Sequence, residues 1–456
     1  MMSQLRRIPA WLWAAALLPR LILLTLACQD PSRCLYPDSV EYLAAAYNMV
    51  HHFSFSTLLG RPDTLRTPGY PLFLSPFALL SAPGSLLAAA LAQCLLGALT
   101  TFLAWLWIEP RAGNLGAAVG AGALALDLST ILHTPLILAE TLFTFALLMA
   151  LISSWEALGP GGTSRPVRSA PLAAGAWWGL AIMIKPIAIF WPAFLAALMR
   201  SRRRAAAAFL LGAYLMPFLW SARNKAATGH WVFSSVGSVD LLAYPAAGAS
   251  ALAKGGSMQS WSRRLQKEAD AAHPESADDV AARGRAYAGA AIPIMASHPF
   301  SLAAYMAIGA LKILGGTGLE MMLEWAGEKT AASDKYLKAG MTGSGTLSLL
   351  RRHPALAAVE IAYLSFLGLL YFFAVMGWLN LWKKREKAHA FLLMGSAFYF
   401  LGAGSIAGYY RFRLPVIPFL AVSAAFGAAG LKGSKTTFEA AQEPFQTQQA
   451  PGHEEP

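Results

Sequence analysis

The sequence predicts an all-α, polytopic membrane bundle of about nine to twelve helices, with long polar loops gathered on one face. Apolar segments of spanning length recur along most of the chain. Charged residues are scarce: 36 Lys+Arg and 24 Asp+Glu make 13% of 456 positions, while hydrophobic residues reach 56%. A soluble domain carries about 25% charged residues, so roughly half of the usual solvated surface is missing. This composition excludes a cytosolic globule, a disordered tail protein and a disulfide framework. The basic residues fall in short clusters between apolar runs. They read as topology determinants and phosphate contacts, with no nucleic-acid partner, despite a net charge of +12.

The elements follow in order. Arg6 and Arg7 precede an apolar run from Trp11 to Ala27, which has the outline of a signal peptide. The ending Leu24-Thr25-Leu26-Ala27-Cys28 is similar to a lipoprotein cleavage box, with Thr25 a poor fit. Arg20 interrupts the run and favours an uncleaved first helix over 10–28. Further spans are expected over 86–108, 114–131, 136–158, 205–222, 357–382, 388–408 and 414–431. Segments 171–184 and 186–199 read as half-helices that turn at Lys185-Pro186, because proline ends or kinks a helix there. Residues 70–83 and 299–316 read as interfacial or re-entrant pieces.

Orientation follows from the short basic clusters: Arg6/Arg7, Arg165/Arg168, Arg200 with Arg202 to Arg204, Lys383 to Arg385 with Lys387, and Lys432/Lys435. With these inside, loops 28–69 and 223–355 face outward, and the first outer region extends to residue 85. The module covers 1–431, and the Gln-, Glu- and Pro-bearing tail 432–456 reads as disordered and cytoplasmic. Long loops in such a protein usually carry function.

Chemistry-bearing residues concentrate at these outer boundaries. Asp38 precedes a helical pattern of Tyr42, Ala45 and Met49, so it reads either as an N-cap or as a carboxylate able to take a proton from a hydroxyl. Arg66 opens a turn, Arg66-Thr67-Pro68-Gly69-Tyr70-Pro71. Glu140 places an acid at the end of an apolar helix, where a partner or a cavity is expected. Lys185 reads either as a phosphate contact or as a snorkelling cation. Arg223-Asn224 and Tyr410-Arg411-Phe412-Arg413 bring guanidinium groups to the same face, where one bound phosphate explains their convergence better than bulk lipid. His51 and His52 are adjacent and point apart in a helix. Three cysteines give no metal spacing; Cys28 and Cys34 can pair in an oxidising compartment or stay idle.

Taken as an ordered set, these motifs resemble the GT-C superfamily of integral membrane glycosyltransferases, in the branch of protein O-mannosyltransferases and aminoarabinose transferases. The carrying motifs are Pro37-Asp38-Ser39 with Tyr42, Arg66 to Pro71, Ala139-Glu140-Thr141, Lys185-Pro186, Arg223-Asn224, His298-Pro299 and Arg411 to Pro415. The resemblance spans residues 1–430. It implies a bacterial cytoplasmic membrane enzyme that moves a sugar from a polyprenyl-phosphate donor to a lipid, glycan or protein acceptor at the extracytoplasmic face. Asp38 would be the base, with inversion at the sugar. Lys185, Arg223, Arg411 and Arg413 would hold the phosphate. Tyr42, Arg66, Tyr70, Glu140, Asn224, His298 and Tyr410 would support the site. Many relatives carry a second acid where Ser39 stands, so a divalent cation is left open and no other cofactor is implied. A transporter or flippase of a lipid-linked anion and a non-catalytic assembly subunit are the rival readings.

Overall fold

The computed structural model describes residues 6–159, 169–199, 202–318, 321–322, 325 and 354–431. Arg165, Arg168, Arg200, Lys432, Lys435 and the tail 432–456 lie outside the described residues. Among the described residues the regular structure is helical, apart from one isolated bridge between Ser56 and Pro62. Seven described helices are long and apolar enough to cross a membrane: Ala10–Gln29, Ala82–Leu126, Glu140–Leu158, Arg203–Thr228, Val236–Lys254, Ala357–Lys383 and Lys387–Ser405. Three shorter apolar helices, Ala170–Ile184, Pro186–Leu198 and Ile417–Gly430, fill the remaining expected segments. The chain is an integral membrane protein built as a polytopic helix bundle.

Local chemistry explains where the helices break. The expected spans 86–108 and 114–131 are present as two helices within Ala82–Leu126 that meet at a kink at Gly113, whose φ of 70° favours glycine. The run stops at Asp127, whose carboxylate accepts from the Thr130 amide and starts a short helix, Leu128–His133. The expected turn at Lys185-Pro186 is present: helix Ala170–Ile184 ends there, a 3-10 turn follows, and helix Trp191–Leu198 resumes. Residues 70–83 are short pieces, a helix Gly69–Leu74 and a turn Phe77–Leu79.

Bundle packing relies on missing side chains. At Gly212 a Cβ would lie 2.5 Å from the Leu172 carbonyl, and at Gly175 it would strike Phe209, so helices Ala170–Ile184 and Arg203–Thr228 touch backbone to backbone. Gly377 and Gly427 bring Pro354–Lys383 against Ile417–Gly430 in the same way. Small residues at helix crossings are the usual means of tight association in a bilayer.

The expected outer loop 223–355 is, in its described part, a folded helical lobe. Helices Val236–Lys254, Met258–Ala272 and Val280–Ser297 close around Leu242, Ala246, Leu265, Tyr287 and Ala291. Arg283 bonds Asp270 at 2.6 Å within it. Pro299–Gly315 then turns away by 103°, so the expected interfacial segment 299–316 is a helix lying across its predecessor. The lobe is fastened to the first outer region: the Ser235 amide donates to Thr64 O at 2.8 Å, and Ser234 Oγ donates to Leu65 O at 2.6 Å.

Candidate functional site

Asp38 lies just before helix Ser39–His51 but does not cap it. Its own backbone is helical, and its side chain makes no cap bond. Ser39 holds the corner instead, accepting from the Tyr36 amide and donating to Ile137 O, both at 2.8 Å. The Asp38 carboxylate is thereby turned toward two guanidinium groups, Arg66 Nη2 at 3.2 Å and Arg411 Nη2 at 3.0 Å.

Arg66 is saturated. Its Nε donates to Glu41 Oε2 at 2.6 Å, its Nη1 to Tyr42 OH at 3.3 Å, and its plane covers the Tyr42 ring at 4.8 Å. Burial alone would lower its pKa; Tyr42, Glu41 and Asp38 outweigh that and raise it, so the cation is permanent. The segment carrying Arg66 is pinned by Asp63, whose Oδ1 accepts from the Leu65 amide at 2.7 Å, and burial raises the Asp63 pKa. It is also docked on the helix break: Thr67 Oγ1 donates to Ile184 O at 3.2 Å, and a Cβ on Gly69 would lie 2.6 Å from Met183 O. That contact brings the first outer region against Lys185.

Lys185 and Glu140 form a 2.7 Å ion pair, with the carboxylate buried. The nearest atom of Arg411 to this pair is Nε, 4.0 Å from Glu140 Oε1 and beyond hydrogen bonding. Arg411 Nε and Nη1 are both buried without a hydrogen-bond partner. The guanidinium also faces the Tyr36 and Phe412 rings at 5.2 and 5.3 Å. Tyr70 sits behind, edge-on to Tyr42 at 4.8 Å, and donates to Gln93 Oε1 at 2.7 Å.

The remaining residues singled out in sequence stand apart from this chamber. Arg413 is fully buried and wholly occupied by protein: Nε meets Asp127 Oδ1 at 3.2 Å, Nη1 donates to the Ile313 and Gly316 carbonyls, and Nη2 donates to Ser129 Oγ and Tyr363 OH. No nitrogen is left for a phosphate, so its expected role as a phosphate contact is corrected to that of a lock. Arg223 clasps the first outer region, donating to Phe55 O at 2.7 Å and Asp63 O at 3.3 Å. Nη1 also donates to Asn224 Oδ1 at 3.0 Å, so both terminal nitrogens of Arg223 are engaged by protein. Asn224 ties Val232 O and Phe233 O, and His298 bonds Ser297 ahead of helix Pro299–Gly315. Tyr410 rests on His133, with ring centroids 5.5 Å apart. All three cysteines are free, so Cys28 and Cys34 do not pair.

Sequence reasoning missed Asp127, Tyr363, Gln93 and Asp240. Asp127 closes an apolar run and Asp240 stands alone between Val239 and Leu241, the same signal that singled out Glu140. A divalent cation does not fit these residues. Among the described residues no three His, Cys, Asp or Glu side chains converge as ligands, and Asp38 and Glu41 are both turned to Arg66. The arrangement can bind one anion at Arg411 and offer one carboxylate beside it.

No family model matches the chain, and no curated protein matches it. Solved structures are similar over almost its whole length. The Archaeoglobus fulgidus oligosaccharyltransferase in its apo form is 15% identical with a TM-score of 0.47, over 98% of this chain and 53% of that one. The same organism's oligosaccharyltransferase AglB, in complex with an inhibitory peptide and a dolichol-phosphate, is 16% identical with a TM-score of 0.42, over 98% of this chain and 52% of that one. ArnT from Cupriavidus metallidurans bound to undecaprenyl phosphate is 14% identical with a TM-score of 0.42, over 97% of this chain and 80% of that one. The chain thus spans about half the length of the oligosaccharyltransferases.

Proposed function

We propose that the chain is a membrane glycosyltransferase that moves a sugar from a polyprenyl-phosphate donor to an acceptor hydroxyl at the extracytoplasmic face. The observation that carries this reading is the pair of buried, unpartnered nitrogens on Arg411, Nε and Nη1, whose neighbour Nη2 on the same guanidinium lies 3.0 Å from Asp38 Oδ2. A buried donor left empty is destabilising, and a phosphate oxygen is the acceptor that a guanidinium fork fits best.

The chemistry follows from how these groups compete. Without donor, both Asp38 oxygens are occupied, Oδ1 by Arg66 and Oδ2 by Arg411, and neither is free to face an acceptor hydroxyl. Donor phosphate at Arg411 would draw that guanidinium away and leave Asp38 Oδ2 free for the acceptor's proton. The acceptor oxygen bonds to the anomeric carbon, the carbon–oxygen bond to phosphate breaks, and the pair of electrons leaves with the phosphate. Arg411 stabilises that developing charge, with Lys185 behind it across Glu140. Binding of the donor and activation of the base are one event.

The test is transfer by purified protein in lipid nanodiscs supplied with decaprenyl-phosphate sugars, beside envelope glycan, lipid and glycoprotein mass spectrometry of a deletion strain. Transfer that is lost in Asp38→Asn is expected. Decaprenyl phosphate that binds Arg411→Ala as tightly as wild type would sink the reading.

A further inference from the structure

One wall of the chamber comes from the outer lobe. Ser234 and Ser235 stitch the start of helix Val236–Lys254 to Thr64 and Leu65, directly before Arg66. Within this helix, Leu242–Ala246 widens into a π-helical turn, a feature found mostly at functional sites. Asp240 precedes the turn and Tyr244 lies inside it. The electrostatic neighbours of Asp240 are Arg66, Asp38, Arg411 and Glu41. Those of Tyr244 are Asp240, Tyr409, Arg411 and Asp38. Both groups therefore lie within electrostatic reach of the chamber, and Tyr409 lies within reach of Tyr244.

Among the described residues the Asp240 carboxylate has no hydrogen-bond or ion-pair partner, although both guanidinium groups lie in its field. A half-enclosed carboxylate needs donors. Phosphate is excluded as its ligand by like charge. A metal is excluded by the lack of a converging third ligand. A neutral ligand rich in O–H donors fits beside two guanidinium groups, and a carboxylate is well suited to adjacent hydroxyls of a sugar ring.

We propose that Asp240, with Tyr244 on the same helix, recognises sugar hydroxyls in this chamber and so determines which sugar is accepted. The inference rests on the reading above. The hydroxyls belong either to the donor's sugar or to a glycan acceptor.

The test uses full-length protein in nanodiscs, as wild type, Asp240→Asn and Asp240→Glu. Affinities are measured for decaprenyl phosphate, for decaprenyl-phosphate mannose, glucose, galactose and arabinose, and for the methyl glycosides of these sugars. Asn is nearly isosteric, and an unchanged unfolding temperature establishes that the variant is folded; Glu keeps the charge but shifts it by one methylene. If the donor's sugar is the ligand, Asp240→Asn weakens the preferred phosphosugar by about tenfold or more, the effect of a hydrogen bond to a charged group, while bare decaprenyl phosphate binds unchanged or tighter. Asp240→Glu then alters the order of preference among sugars. If the acceptor is the source, the loss appears in methyl glycoside binding and not in the phosphosugars. Equal affinities for every probe in wild type and Asp240→Asn would overturn the proposal, as would a uniform loss that includes decaprenyl phosphate. Failure of wild type to bind decaprenyl phosphate would instead remove the phosphate reading, and the methyl glycosides would still decide the role of Asp240.

Discussion

Arg411 and Arg413 stand on one 3-10 turn, Tyr410–Arg413, yet the protein treats them oppositely. Arg413 is enclosed by Asp127, Ser129, Tyr363 and the carbonyls of Ile313 and Gly316, with none of its surface exposed. Arg411 shares one carboxylate and leaves two nitrogens empty. A fully matched buried charge is an internal fastener. An incompletely matched one, held in place by that fastener, is a receptor. The difference lies in the partners and not in the residue type.

Removing the fastener should have the largest effect. Arg413→Ala leaves Asp127 buried with an uncompensated charge, which should cost about 3–5 kcal/mol of stability and show as lost expression or a lowered unfolding temperature. The double variant Arg413→Leu with Asp127→Leu should be more stable than Arg413→Ala, and a double variant no better would mean that the pair's charge is not what matters. On the receptor side, Asp38→Asn should reduce transfer by about 100- to 10,000-fold with the unfolding temperature near wild type, as expected for loss of a general base. Arg411→Ala should weaken decaprenyl phosphate binding by about 10- to 100-fold without loss of stability, since it removes a buried cation that protein alone does not satisfy. Arg411→Lys should fall between, because lysine keeps the charge and loses the fork. The smallest effect is expected at Arg223→Ala, about 1 kcal/mol of stability from two lost carbonyl contacts, with decaprenyl phosphate binding unchanged. If Arg223→Ala matched Arg411→Ala in phosphate binding, the division between fasteners and receptor would fail.

Much of the bundle was legible, because bilayer-length apolar runs and the proline at residue 186 leave the chain few options. The break between 86–108 and 114–131 is legible as well; only the torsion at Gly113 that makes the kink leaves no mark in composition. The lobe over 236–297 was missed for a different reason: its buried cluster around Leu242, Leu265 and Tyr287 is small, and helix Met258–Ala272 contributes only Leu265 and Ala269 to it from a mostly polar sequence. At the site, order along the chain brought Asp38, Arg66, Glu140, Lys185 and Arg411 into consideration, and the structure places them together. It could not separate Arg411 from Arg413, because saturation depends on Asp127 and Tyr363, both remote in the chain. Nor could it decide whether Asp38 capped its helix, which turned on the hydroxyl next door at Ser39.

The glycine contacts at Gly175, Gly212, Gly377 and Gly427 have a mechanical consequence. Helices whose backbones already touch have no clearance to rotate or slide, because packed interiors resist continuous deformation. Rocking of one half-bundle against the other, the motion by which carriers expose a site alternately to two sides, would leave these seams closed and would have to open a third one, where a Cβ on Gly120 would lie 2.9 Å from Ala421 O. The lobe, by contrast, meets the segment before Arg66 through the bonds of Ser234 and Ser235. Whatever opens and closes around Asp38 moves above a rigid floor.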